Sequence, residues 1–300
     1  NTGYVFVNFS ITSGSCAGTF TSSTGTCDNV QAPITIRANW NIRVSYTENI
    51  DAAGSLSPTY RDVAYGASAT GPTVITNTGY VFVNFKITSG SCAGSFDFII
   101  GTCDNVQVPI TIQANWSNIA PAFSVTPYEA VASYSTSPTS IGSSITFRAT
   151  ATDANANYYL IICSTNSVTP GASGAAPSCG STKYCNSSST ASGSQASCSY
   201  TTNSGDAWSN AWYAFVCDNN SADPKCSSAN QGSGDSGSPF YVNHPPTFSD
   251  ISITDSSQNP TESVQWNATA SDPDGNTVKL LVCKTNAMSS GSCTGGAWCT

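Results

Sequence analysis

The stretch Gly234-Asp-Ser-Gly-Ser-Pro239 sets a serine in a glycine-rich turn, the setting of a nucleophile loop. Hydrolysis through that serine needs a histidine base and a buried aspartate to orient it. The chain has one histidine, His244, eight residues after Ser236 in a His-Pro-Pro run. A base this close in sequence, with no aspartate between, fits neither the order nor the spacing of a triad. The stretch reads as a Gly/Ser loop before a strand. Paired carboxylates across a cleft are a second route to hydrolysis. Glu occurs three times, at Glu48, Glu129 and Glu262, far apart in the chain. The sequence therefore predicts a protein that is not an enzyme.

Asp272-Pro-Asp274-Gly-Asn276 has the i, i+2, i+4 oxygen spacing that opens a calcium loop. No Glu follows at the distance of a closing bidentate ligand. The other reading is a strand-connecting turn, for which Asp-Gly is a common signal. Asp153-Ala-Asn155-Ala-Asn157 has the same skeleton with fewer charges. Calcium at Asp272, Asp274 and Asn276 is the only cofactor the sequence suggests.

Thirteen cysteines in 300 residues point to an oxidising compartment. With no C-x-x-C pair and a single histidine, zinc is a poor match. The cysteines divide into groups along the chain: Cys16 with Cys27, Cys92 with Cys103, then a set of six from Cys163 to Cys226. Six cysteines admit many pairings. The local closures are Cys163–Cys179, Cys185–Cys198 and Cys217–Cys226, and Cys283–Cys293 matches the first of them. Cys299 is left over, as expected if a further set continues past Thr300.

The rest of the composition agrees with an extracellular setting. Only 9% of residues are charged, against about 25% in typical domains. The 12 Phe, 13 Tyr and 6 Trp supply material for cores. A net charge of -8, with nine Lys and Arg and no basic cluster, excludes a nucleic-acid footprint. No apolar run approaches the roughly 20 residues of a membrane span.

Residues 1–40 align without gaps to 77–116 at 32 identities in 40, a repeat of 76 residues. A period this long indicates an array of small domains. Ile34, Ile36, Ala38 and Trp40 alternate with polar residues, the pattern of a half-buried strand. "GYVFVNF" differs, because Val5 and Val7, like Val81 and Val83 in the second copy, make its other face apolar too. Such a strand is either covered on both sides or has a face waiting for a partner. The boundaries expected are 1–42 for a partial module, 43–117 for a complete one, 118–243 for a six-cysteine module and 244–300 for a partial copy of it. Ser144–Asp153 and Ser263–Asp272 read as equivalent alternating strands, each leading through a polar turn to an apolar strand ending in Cys163 or Cys283.

Tyr65-Gly66, Pro72, Gly79-Tyr80, Phe82, Phe85, Ile110, Ile112 and Trp116 together resemble the Listeria–Bacteroides repeat, the internalin-type B-repeat of bacterial surface proteins. Phe85 stands where that family often has Trp, and the Cys92/Cys103 pair is a departure from it. The resemblance covers residues 1–116 and implies a small β-grasp fold with a spacer or adhesive role. Residues 118–300 resemble the Ig-like or cadherin-like repeats of bacterial surface proteins, which implies a β-sandwich.

The reading that follows is a mainly β chain of tandem β-grasp-like repeats followed by disulfide-stapled Ig-like domains. It is expected to be a bacterial, extracellular stalk, filament or adhesin segment, its modules joined by short Pro-containing linkers. Its partners are expected to be other copies or neighbouring modules, with surface glycans a further candidate. The valines at 5, 7, 81 and 83 are the candidate interface. The alternative is a carbohydrate- or partner-binding region of a larger secreted enzyme, with Trp208 or Trp212 stacking on sugar.

Overall fold

A computed structural model describes residues 2–254 and 259–299. Strand is its main regular structure, and the only helical pieces among the described residues are the 3-10 turns Asp51–Ala53, Ala172–Gly174 and Gly234–Ser236.

The first two modules are built on one sheet. Strand Thr35–Glu48 runs for 14 residues through the expected boundary at 42/43 without a break. Its first half pairs antiparallel with Tyr4–Ser13, from Tyr4 opposite Ile42 to Ser13 opposite Thr35. Its second half pairs antiparallel with Tyr60–Ala64 and parallel with Ile110–Asn118, where Val44 lies opposite Ile110 and Glu48 opposite Ala114. Ile110–Asn118 in turn pairs antiparallel with Tyr80–Ser89. The period-2 alternation explains the continuity. Ile36, Ala38, Trp40, Ile42, Val44 and Tyr46 all fall on one face, so both modules build their apolar layer on the same side of the sheet. The Pro-containing linker expected between modules is absent here, because nothing in Trp40–Arg43 interrupts the ladder.

The core of the second module lies between this sheet and a ribbon in which Gly54–Ser57 pairs with Thr73–Thr76. Ile50, Ala53, Leu56 and Ala69 close over Phe85, Ile112, Ala114 and Trp116. Phe82 packs edge-on against Trp116 at 5.7 Å and lies 5.1 Å from Phe85. Phe82 and Phe85 are three residues apart, yet both face the core. A β-bulge between Phe82 and Asn84 makes this possible by taking Val83 out of register. The same bulge sits between Phe6 and Asn8.

The third module encloses one core between two groups of strands. Ala122–Glu129, Ser144–Thr152 and Gln195–Thr201 form one sheet, and Lys183–Asn186, Tyr158–Cys163 and Tyr213–Asp218 form another. Ile145, Phe147, Ala149 and Ala151 meet Tyr158, Leu160, Ile162, Ala214 and Val216, with Trp212 and Phe240 among them. The disulfide Cys185–Cys198 ties a strand of one sheet to a strand of the other. In the fourth module Thr247–Ile253 pairs with Trp266–Ser271.

Trp40 and Trp116 occupy equivalent positions in the two copies, but Trp40 is 50% exposed and Trp116 2%. Trp116→Ala is therefore expected to cost about 3–5 kcal/mol, as buried aromatic truncations do. Trp40→Ala should cost about 1–2 kcal/mol, since about half of its surface is already in water. Urea unfolding midpoints of the two variants check this difference.

Candidate functional site

With no catalytic grouping legible in the sequence, the places where modules meet become the candidate site. The strand Ile110–Asn118 ends at Ile119-Ala120-Pro121, where a residue without an N–H stops the ladder. Polar side chains take over across the gap. Asn118 Nδ2 donates to Asp218 Oδ2 at 2.8 Å, and Asn118 Oδ1 accepts from Asn155 Nδ2 at 2.9 Å. The Asn118 amide and the Ser117 hydroxyl both donate to Asp223 Oδ2, at 2.8 and 3.1 Å. Asn220 Nδ2 donates to the Tyr80 hydroxyl at 2.8 Å. The Gly79 carbonyl accepts from the Ile119 amide at 2.9 Å and from Asn155 Nδ2 at 3.3 Å.

Two carboxylates of this joint are shifted in opposite directions. Asp218 is fully buried, and that burial pushes its carboxyl above the usual range, with the nearby charge of Asp153 acting the same way. The amides of Asn220 and Lys225 and the Asn118 side chain pull it back, but desolvation wins. Burial would also raise Asp223, yet donors from Lys225, Asn118 and Ser117 outweigh it and hold Asp223 below its ordinary value. Asp218 accepts three donors on two oxygens, from Asn220, Lys225 and Asn118. An asparagine there would have one acceptor oxygen to offer them.

The glycine of "NTGY" has the same place in both copies. Gly3 O accepts the Arg43 amide at 2.9 Å, as Gly79 O accepts that of Ile119. Both glycines have positive φ, at +86° and +88°. A Cβ on Gly3 would lie 2.5 Å from Pro109 Cβ, and one on Gly79 2.5 Å from Asn155 Cγ. The turn is thus a docking point for the next module, where backbone must approach closely.

The next joint reuses the acidic turn. Asp272 Oδ1 accepts the amides of Asp274 at 2.9 Å and Asn276 at 3.4 Å, which closes the turn on itself. Asp274 Oδ1 lies 2.8 Å from His244 Nδ1, and its other oxygen accepts the His244 amide. The Asp153 turn is built alike, with Asp153 Oδ1 accepting from Asn155 and Ala156. In both modules the second Asx of the turn reaches back to the linker: Asn155 to Asn118, and Asp274 to His244. The structure thus gives Asp272 and Asp274 hydrogen-bonding partners within the turn and joint. Among the described residues, no three His, Cys, Asp or Glu side chains are grouped as a metal site.

The other residues singled out are scattered. Ser236 ends a 3-10 turn in the third module, whereas the ring of His244 is held by Asp274 of the fourth. Trp212 is wholly buried, and Trp208 packs edge-on against Tyr241 at 5.5 Å. Val81 lies beside Ser117 on the outer face of the sheet and Val83 in the bulge, both about half exposed. Val7 is likewise exposed, while Val5 is partly buried beside Asn41. The bonded cysteines are Cys16–Cys27, Cys92–Cys103, Cys163–Cys179, Cys185–Cys198, Cys217–Cys226 and Cys283–Cys293. Cys299 is free and exposed. Sequence reasoning missed Asp218, Asn220 and Asp223. The available signal was the density of Asx residues between Cys217 and Cys226, a loop whose backbone needs side-chain caps.

One buried acid lies away from the joints. Glu129 accepts from Trp212 Nε1 at 3.0 Å and from the Ser133 amide at 2.8 Å. Burial nevertheless raises its pKa to about 7.

No protein-family model, curated protein or solved structure matches the chain.

Two tests follow from these groups. Gly79→Ala forces a side chain into Asn155 at a positive φ, and is expected to weaken the joint by about 1–3 kcal/mol. Scattering from the whole chain should then broaden towards a range of inter-module angles, while the 118–243 module keeps its own unfolding midpoint. Glu129 has its folded pKa above its unfolded one, so the folded state retains a proton that the unfolded state releases between about pH 4.5 and 7. Stability must fall as pH rises through that window, by on the order of 2–3 kcal/mol at about 1.4 kcal/mol per unit. Glu129→Gln should lose this slope, as read from urea midpoints at pH 5 and pH 8.

Proposed function

We propose that this chain is a segment of an extracellular structural array, a stalk or filament whose work is to hold modules at fixed spacing. The observation that carries this reading is the strand Thr35–Glu48, which serves two modules at once and leaves no linker between them. Fusing two units through one strand removes the freedom of the joint between them. A spacer gains stiffness.

Other features support the same reading. The second module orders its strands Tyr60–Ala64, Thr35–Glu48, Ile110–Asn118, Tyr80–Ser89, with the central pair parallel. We take this as a β-grasp-like arrangement covered by a 3-10 turn and a ribbon rather than a helix. The enclosed core and the cross-sheet disulfide of the third module support an Ig-like sandwich. Six disulfides suit an oxidising setting and favour secretion. Each short closure adds about 2–3 kcal/mol in the chain-entropy picture, a large share for domains of this size. In this reading the chain is not an enzyme, and its partners are further modules of the same kind.

Small-angle scattering and negative-stain imaging of the whole chain test the proposal. The expected result is an elongated particle with one narrow distribution of lengths. Modules seen at many angles across the 42/43 boundary would overturn it.

A further inference from the structure

The two copies of the repeat share their sequence but not their cover. In the second, the segment 43–76 closes over the aromatic face. The Asn49 side chain donates to the Trp116 carbonyl at 2.9 Å and accepts from the Trp116 amide at 2.8 Å. Thr76 Oγ1 accepts from Trp116 Nε1 at 3.1 Å. Gly54 seats the indole so closely that a Cβ would lie 2.9 Å from Trp116 Cζ2. Val44–Glu48 fills the edge as a parallel strand beside Ile110–Ala114.

The first copy has every receiving group in place. Phe6 lies 5.0 Å from Phe9 and 5.3 Å from Trp40, the same arrangement as Phe82, Phe85 and Trp116. Strand Thr35–Glu48 pairs with Tyr4–Ser13 on one edge of its first half, and on the other edge its partner Tyr60–Ala64 begins only at Asn41. The edge at Thr35–Ala38, the counterpart of Thr111–Ala114, is therefore open among the described residues. Phe6 and Trp40 are 37% and 50% exposed, whereas Trp116 is 2% exposed and Phe82 is packed on the core, so the aromatic face that is covered in the second copy is uncovered in the first.

We propose that this face and edge are a docking site for a segment of the Arg43–Thr76 sequence pattern. The segment enters as a parallel strand beside Thr35–Ala38 and lays a Gly54-type glycine on the Trp40 ring. The occupant is identified by its template, since the same receiving surface is shown occupied 76 residues along the same chain. The sheet then extends across the first module as it does across the second. This inference stands on the internal repeat alone and does not depend on the stalk role.

The test is the whole chain with residues 43–76 added directly before Asn1. Amide exchange across Thr35–Trp40 is expected to slow by about tenfold or more, as for newly paired strand amides. Hydroxyl-radical oxidation of Trp40 should fall to the level of Trp116. A second fusion, carrying Gly54→Val in the added segment only, should lose both effects while residues 43–300 stay folded. Unchanged exchange and oxidation in the first fusion would overturn the proposal. So would equal protection in both fusions, which would show tethering without docking. Concentration-dependent protection of Thr35–Trp40 in the unextended chain, with a dimer in sedimentation, would assign the face to a second copy instead and overturn it as well.

Discussion

A single hydrogen-bonded ladder governs the front of this molecule. Strand Thr35–Glu48 closes one module and opens the next, so the two cannot move apart without breaking backbone hydrogen bonds. A flexible linker loses its stiffness to rotations about a few φ/ψ angles. A strand held by neighbours on both flanks has those angles fixed. The inward face also continues without a phase change from Ile36 to Tyr46, so both modules share one side of one sheet. An insertion of one residue near Asn41 would turn one module's apolar face to solvent, which ties the length of this strand to the stability of both.

Where the ladder stops, at Pro121 and again at Pro245-Pro246, a different chemistry takes its place. The joints are made by amide and carboxylate side chains that bond linker backbone, rather than by apolar contact. Asn118 is buried and bonded at both ends of its side chain, by Asp218 and by Asn155. Directional bonds of this kind fix an angle, whereas an apolar patch tolerates sliding. They also explain how a chain so poor in Lys and Glu still places aspartates at its junctions. Asp218 is retained against a desolvation penalty because three donors converge on it.

The sequence made local features legible and long-range ones opaque, for physical reasons. Alternation identified the strands at Ile34–Trp40 and Ile145–Ala151, since burial of one face imposes period 2. Cysteine spacing pointed to the six local closures. The same alternation concealed the fusion of the first two modules, because a strand that continues carries no punctuation where one module ends. The acidic turn at Asp272–Asn276 was legible as a turn, but its partner His244 lies in the linker, and no spacing rule connects the two. Asp218 and Asp223 were invisible for the same reason: their partners at Ser117 and Asn118 lie about a hundred residues away, as the bonding shows. The valine face posed a real ambiguity. Val83 fills no core: it occupies the bulge that turns Phe82 and Phe85 to the same side, and it stays about half exposed.

The differences between the two copies can be placed on this framework. Of the eight, four fall together, where Thr21-Ser-Ser-Thr24 becomes Asp97-Phe-Ile-Ile100. This is the tip between the short strands Phe96–Asp97 and Thr102–Cys103, closed at its base by the Cys92–Cys103 disulfide. In the second copy Asp97 Oδ1 accepts the amides of Ile99 and Ile100, so the turn is capped from within and asks nothing of its other side chains. Phe98, Ile99 and Ile100 are all more than half exposed. A strand residue in this array answers to its own core, to the neighbouring strand and often to the next module, so a substitution there disturbs several contacts at once. The tip is held to the sheet through backbone, the Phe98 carbonyl accepting the Phe85 amide at 2.7 Å as the Ser22 carbonyl accepts that of Phe9 at 2.6 Å, so its side chains are free to vary. Half of the differences between copies thus collect where side chains carry no packing, while Ser10/Lys86 and Arg37/Gln113 are the two that lie on the paired strands of the large sheet.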